Sequence, residues 1–117
     1  MSDNQAAFVA QLYQLQMDFL ASCCPRGRVI ESAHAVALEV TDPKLLRASL
    51  QVIHDEAHKL AGASGCFGFS QLSVAAYELE QGCHTLLVKE TVPAAEDSER
   101  VQTLLRRIQD AVTPPLD

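Results

Sequence analysis

The stretch from His54 to Gly65 combines nucleophilic side chains with few bulky neighbours. It reads HDEAHKLAGASG. A neutral imidazole is a nucleophile near neutral pH, and its attack on a phosphoryl group would give a phosphoramidate. On a helix, Ala61, Gly62 and Gly65 lie three, four and seven residues after His58 and so surround the same patch. The pattern predicts an accessible histidine that can accept a phosphoryl group.

The groups that would activate such a transfer are missing from the sequence. Glycine within a helix costs about 1 kcal/mol relative to alanine, so Gly62 indicates that a partner's active site needs close access to His58. The chain has no Walker loop, no kinase glycine-rich loop and no dense aspartate cluster for Mg²⁺. The activating charges would have to come from the partner, which predicts a phosphoryl carrier rather than a self-sufficient enzyme.

The helix that must position His58 is predicted over about residues 43–64. Thr41 or Asp42 can cap its N-terminus, and Pro43 suits its first turn. The apolar stripe of this helix lies about 120° from His58, so the histidine is expected on the exposed side. The stripe consists of Leu46, Leu50, Ile53, Ala57, Leu60 and Ser64.

Four further amphipathic segments predict the rest of an all-α fold. The first helix covers about residues 6–21, and Pro25 predicts a turn or sharp kink before a second helix over about 28–39. Beyond the histidine helix, a helix begins near Ser70, and a linker over 91–97 leads to the last helix. The residues expected to face inward are Phe8, Leu12, Leu15 and Phe19; Val29, Ile30, Ala33, Val36 and Ala37; Leu72, Ala75 or Ala76, Leu79, Cys83, and Leu86 or Leu87; and Val101, Leu104, Leu105, Ile108 and Val112. 

Short loops between these segments predict one domain over residues 1–117, built as an antiparallel up-down four-helix bundle with the first helix packed on it.

The chain is 48% hydrophobic, which is enough for a core, and its net charge of −6 without a basic cluster excludes a groove-reading nucleic-acid binder. No apolar run approaches a membrane span and no signal peptide is visible, so a cytoplasmic chain is expected. The Met1 start and the full set of helices favour a stand-alone chain, and a domain cut from a longer sensor protein stays open as the alternative. The cysteines are expected to be reduced thiols, with Cys66 and Cys83 in the core.

The segment HKLAGASGCFG, which begins at His58, resembles the signature of histidine-containing phosphotransfer (HPt) domains of bacterial phosphorelays. In that pattern the phosphorylated histidine is followed by an apolar residue at +2, Gly at +4, small residues beyond, and a Gly that closes the loop. Leu72, Ala75 and the segment YELE at 77–80 resemble the next helix of the family. The close match covers residues 57–79.

The resemblance implies a four-helix bundle that shuttles a phosphoryl group between aspartates of receiver domains, with His58 as the phosphosite. It implies response-regulator receiver domains and a hybrid histidine kinase as partners, with Mg²⁺ on the receiver and no cofactor of the chain's own. Many family members carry Lys at +3, where this chain has Ala61, so Lys59 and Ser64 are the candidates for phosphate support. The residues expected at the docking surface are His54, Ala61, Gly62 and Gly65.

Other interpretations of the same residues stay open. His54 either modulates His58 or is a boundary residue of the helix, and His34 and His84 are expected to be structural or exposed. His54 and His58 have the HxxxH spacing of a zinc pair, but Asp55 stands where the metalloprotease motif needs Glu, so no metal site is expected. The alternative function is a non-phosphorylated helical adaptor that binds a signalling partner through the same small-residue patch.

Overall fold

The structure is a computed structural model that describes residues 3–89 and 95–112, and these residues form helices without any strand. The helices are α1 (Asp3–Glu39), α2 (Pro43–Cys66), α3 (Ser70–Lys89) and α4 (Ala95–Val112). The all-α class predicted from the sequence is confirmed. Among the described helices, none combines the length and the apolar character that a membrane span requires.

The histidine helix α2 begins and packs as its sequence predicts. The Asp42 carboxylate accepts a hydrogen bond of 2.9 Å from the backbone N–H of Lys44, and Pro43 occupies the first turn, so the predicted cap is confirmed. All six residues of the predicted apolar stripe are buried. The helix continues two residues beyond the predicted end, to Cys66.

A three-residue loop joins α2 to α3. Gly68 has φ of 82°, a left-handed conformation that glycine adopts without the steric cost other residues meet. The backbone N–H of Phe69 donates to the carbonyl of Ser64 over 2.9 Å, and that of Phe67 donates to the carbonyl of Ala63 over 3.2 Å. These bonds satisfy carbonyls at the end of α2. They also hold closed the loop of residues 67–69, which is the hairpin tip of α2 and α3.

The core lies between α2 and α3 and is closed by α1 and α4. Helix α2 packs against α1 and α3, while α4 packs against α3 and α1. Apolar side chains of α3 and α4 fill this space as predicted: Leu72, Ala75, Ala76, Leu79, Cys83, Leu86, Leu87, Val101, Leu104, Leu105 and Ile108. The buried residues of α2 therefore fix which of its sides faces solvent.

The predicted break between the first two helices is wrong, because α1 runs through Pro25 as one continuous helix of 37 residues. There is accordingly no separate N-terminal helix over 6–21. Proline removes one backbone N–H and disfavours helix at the preceding residue. The turns on either side are nevertheless held to the bundle: Cys23 and Ile30 are fully buried, and Arg26 pairs with Glu56 over 3.2 Å. Tertiary contacts thus outweigh the local signal.

Several predicted inward positions on α1 are also wrong. Phe8, Leu12 and Leu15 are exposed because α1 extends beyond the elements that could cover them. The predicted inward residues Val29 and Val36 are exposed as well, since Ile30 and His34 form the buried side of that part of the helix.

Two other expectations need correction. Cys66 is exposed at the end of α2 and does not fill the core, whereas Cys83 is buried as predicted. The helix α4 begins at Ala95, inside the predicted linker over 91–97. Residues 91–94 of the predicted linker lie outside the described residues, and so does the side chain of Val112, which is expected to face inward.

Candidate functional site

His58 stands on the open side of α2 and is held from α3. Its side chain is 70% exposed, as expected from its angle to the buried stripe. Its Nδ1 lies 2.7 Å from Oε1 of Glu80, whose own side chain is only 12% exposed. Glu80 thus reaches the ring from a shielded position and leaves the rest of the imidazole open to solvent.

The contact with Glu80 decides which ring nitrogen can act as a nucleophile. An ionised carboxylate accepts hydrogen bonds and donates none, so Nδ1 of His58 must carry the proton that lies between them. In the neutral ring the lone pair then belongs to Nε2, on the far side of the imidazole from Glu80. The arrangement presents Nε2 for in-line attack, and the carboxylate stabilises positive charge that develops on the ring.

Gly62, four residues after His58, leaves open space, although the fold does not require a glycine there. A Cβ built on Gly62 meets no atom within 4 Å, so neither packing nor backbone conformation requires glycine there. Gly65 lies against α3, where its Cβ would stand 3.5 Å from the Ser73 hydroxyl. That hydroxyl donates to the carbonyl of Ala61 over 2.8 Å. Small residues therefore let α3 approach α2 closely and leave the surface beside His58 free of long side chains.

Three histidines lie together at this surface. The rings of His54 and His58 are nearly parallel, with centroids 6.5 Å apart, and His84 of α3 lies 6.1 Å from His54. Nδ1 of His54 bonds to Asp55 over 3.0 Å. Hydrogen bonds from His54 and then Gln51 lower the pKa of the Asp55 carboxyl. His54 is thus tied to its own helix, while Glu80 ties His58 to α3.

The two candidates for phosphate support do not point at the ring. The Nζ of Lys59 lies 3.9 Å from Glu56, which also pairs with Arg26 of α1, so the ammonium is on the α1 side of α2. Ser64 is fully buried, and its hydroxyl donates to the carbonyl of Leu60 over 2.5 Å. Ser64 therefore serves helix packing, and its predicted contact to a phosphate is not supported.

Among the described residues, no three His, Cys, Asp or Glu side chains are grouped closely enough to hold a metal ion. The HxxxH pair is accordingly without the third ligand that a zinc site needs. The chemistry available at this surface is nucleophilic attack by one oriented imidazole.

A family model described as the Hpt domain matches residues 14–111, which is most of the chain. The chain belongs to the Hpt domain family. Comparison with curated proteins and with solved structures found no match. Membership implies histidine phosphotransfer in two-component relays, and interaction with response-regulator and kinase components. Hpt domains are phosphocarrier modules rather than enzymes.

Sequence reasoning missed one neighbour of His58 in this Hpt domain, Glu80. Glu80 is separated from it by 22 residues along the chain, and no local rule joins them. A signal was present, because Glu80 directly follows the buried Leu79 and so borders the core stripe of α3. His84 is exposed, which agrees with the expectation that it is structural or exposed, and it lies beside His54 one turn after Glu80.

Proposed function

We propose that His58 is the phosphorylated residue of this chain, and that it accepts a phosphoryl group from, and returns it to, aspartates of response-regulator receiver domains in a bacterial phosphorelay. The proposal includes a cytoplasmic location, a hybrid histidine kinase upstream, and Mg²⁺ bound by the receiver. The observation that carries it is the exposed ring of His58 with its Nδ1 held by Glu80.

The transfer needs little covalent help from the chain itself. The lone pair of His58 Nε2 attacks the phosphorus of a receiver aspartyl phosphate and forms an N–P bond. The P–O bond to the aspartate breaks, and the carboxylate leaves with the electron pair. The proton on Nδ1 stays in its bond to Glu80, whose negative charge balances the charge that the ring acquires. The reverse step delivers the group to another receiver.

The surface around Nε2 suits a partner that must come within bonding distance. Gly62 offers no side chain next to His58, and Gly65 is exposed one turn further on. Tyr77 of α3 is 56% exposed and lies about one turn before Glu80. An exposed aromatic ring beside a surface of small residues is a typical anchor for a protein partner. The proposed docking surface therefore consists of Tyr77 together with His54, Ala61, Gly62 and Gly65.

The proposal also includes an antiparallel, up-down course of the helices. Its support is the order of contacts between α2 and α3. Arg47 bonds to the carbonyl of Leu87, His58 to Glu80, and Ala61 to Ser73. Residue numbers rise along α2 as they fall along α3, which is the pattern of a helical hairpin closed by a short loop.

The experiment that tests the proposal is phosphoryl transfer from phosphorylated receivers to the purified chain. We expect a label on the chain that is labile in acid and stable in base, as a phosphoramidate is. His58→Gln should abolish it, whereas His54→Gln and His84→Gln should retain it, because neither of these rings is the nucleophile.

Two results would contradict the proposal in different ways. Absence of label on the wild-type chain across a panel of receivers would favour the adaptor alternative, in which His58 supplies only contacts. A label that survives His58→Gln but is lost in His54→Gln would move the phosphosite to His54.

A further inference from the structure

The first thirteen described residues of α1 project beyond the rest of the bundle. The hairpin tip of α2 and α3 meets α1 at Gln16, whose amide donates to the carbonyl of Phe67 over 3.0 Å, and at Phe19, whose ring stacks on Phe67 with centroids 4.7 Å apart. Every residue from 3 to 15 is exposed. At 1.5 Å per residue this overhang, residues 3–15, is about 20 Å long.

The overhang continues the side of α1 that packs on the bundle. Phe8, Leu12, Leu15 and Phe19 follow one another at spacings of four, three and four residues, so they share one side of the helix. Phe19 covers the hairpin tip, but Phe8 is 65% exposed and Leu15 is 55% exposed. The apolar side of α1 therefore runs on past the last element that could bury it. The match to the Hpt family begins only at residue 14, so residues 3–13 lie outside the shared domain.

The apolar side of the overhang has no covering element among the described residues. Exposed contiguous apolar patches mark interaction sites. The overhang carries five large exposed apolar side chains: Phe8, Val9, Leu12, Tyr13 and Leu15.

We propose that the overhang is a self-association surface and that its partner is the overhang of a second copy of this chain. Charge favours this partner. The chain carries a net charge of −6, so most contacts between two copies bring like charges together. The overhang avoids this repulsion, because its only charged residue is Asp3 at the outer end.

The geometry is self-complementary in the way that a twofold dimer requires. With the two overhangs side by side in opposite directions and the axis near residues 11 and 12, Phe8 of one copy lies opposite Leu15 of the other. The outer end of each overhang then approaches the hairpin tip of the other copy, where that copy's own α1 is anchored.

The area suits a reversible dimer rather than an obligate one. Phe8 is 65% and Tyr13 61% exposed, and the four aromatic and six aliphatic side chains of two copies together present at most about 1,000 Å² of apolar surface. That value is at the lower limit for a specific interface. His58 stays available, because α1 contacts α2 through Glu56 and the histidine faces α3.

Sedimentation velocity of the full chain, from low micromolar to several hundred micromolar, tests the proposal. We expect the average mass to rise from the 12.7 kDa of one chain toward twice that value. The double variant Phe8→Glu/Leu15→Glu should stay monomeric. Val29→Glu/Val36→Glu has the same chemistry and spacing at exposed positions of the same helix, and it should dimerise as the wild type does. Circular dichroism must show unchanged helicity in all three.

Hydrogen exchange of the overhang amides distinguishes the other ways of covering this surface. A second copy protects these amides only as concentration rises. A wild-type chain that stays monomeric at every concentration overturns the proposal, whether the overhang is protected by its own chain or left open for a different protein. Dimerisation that survives Phe8→Glu/Leu15→Glu, or that is lost in Val29→Glu/Val36→Glu, places the interface elsewhere and also overturns it.

Discussion

Replacing Glu80 by alanine removes the group that holds Nδ1 of His58. The 2.7 Å bond joins the ring to a carboxylate, and hydrogen bonds to charged groups contribute about 1.5–3 kcal/mol. The ring is 70% exposed, so water can replace part of the bond and the lower figure applies. Since about 1.4 kcal/mol is one factor of ten in rate, we expect Glu80→Ala to slow phosphoryl transfer about tenfold.

Glu80→Gln separates hydrogen bonding from charge. Its amide oxygen can still accept from Nδ1, and neutral hydrogen bonds are about half as strong as charge-assisted ones, so we expect roughly a threefold loss of rate. The matched control is Glu78→Ala, because Glu78 lies on the same helix but pairs with Arg107 over 2.9 Å. This control should transfer at the wild-type rate.

The assay is rapid-quench transfer from a phosphorylated receiver, with thermal unfolding to check that the variants fold. Imidazole nitrogen NMR gives an independent readout, because the wild-type chain should carry its His58 proton on Nδ1 and Glu80→Ala should lose that preference. A wild-type transfer rate in Glu80→Ala, together with an unchanged tautomer, would refute the assignment of Glu80 as a positioning residue.

Three further predictions concern access, phosphate support and acid stability. Gly62→Gln should block transfer while helicity is kept. Gly82→Gln should transfer normally, because a Cβ built on Gly82 also meets no atom within 4 Å. Equal transfer rates in the two variants would refute the argument that Gly62 gives access to His58. Lys59→Ala should change transfer less than twofold, because its ammonium faces Glu56; a loss of tenfold or more would contradict that position. Burial lowers the pKa of His34, so the unfolded chain binds more protons than the folded chain below about pH 6.5 and stability falls with acidification. Between pH 7 and pH 5 the free energy of unfolding, measured by denaturant, should fall less for His34→Phe than for the wild type. An equal fall in both proteins would refute the assignment of this acid sensitivity to His34.

The sequence predicted α2 well because its pattern is strong and local. Six apolar positions with helical spacing, a cap at Asp42 and a proline at the first turn all indicate the same helix. The exposure of His58 follows from that helix alone. These features need no knowledge of the neighbouring elements.

The errors in α1 have a common cause. Helical spacing shows that Phe8, Leu12 and Leu15 share one side with Phe19, but it does not show whether another element reaches that side. Pro25 is a local signal for a break, and contacts made by distant residues such as Glu56 decided otherwise. In both cases the missing information was tertiary.

The site was predictable only in part for the same reason. The resemblance to the HPt signature pointed to His58 and the glycines on one helix. The partner that orients the ring, Glu80, comes from the facing helix and depends on how α2 and α3 align. Ser64 shows the reverse case, since its place in the apolar stripe already indicated packing, and its buried hydroxyl bonds to Leu60.

The most direct test is to locate the phosphoryl group on the chain after transfer from a phosphorylated receiver. Nitrogen and phosphorus NMR of the imidazole signals identifies both the residue and the ring nitrogen. The account predicts one phosphohistidine, at His58, with phosphorus on Nε2 and the proton on Nδ1. Phosphorus on Nδ1 of His58, on any other residue, or on none would contradict it.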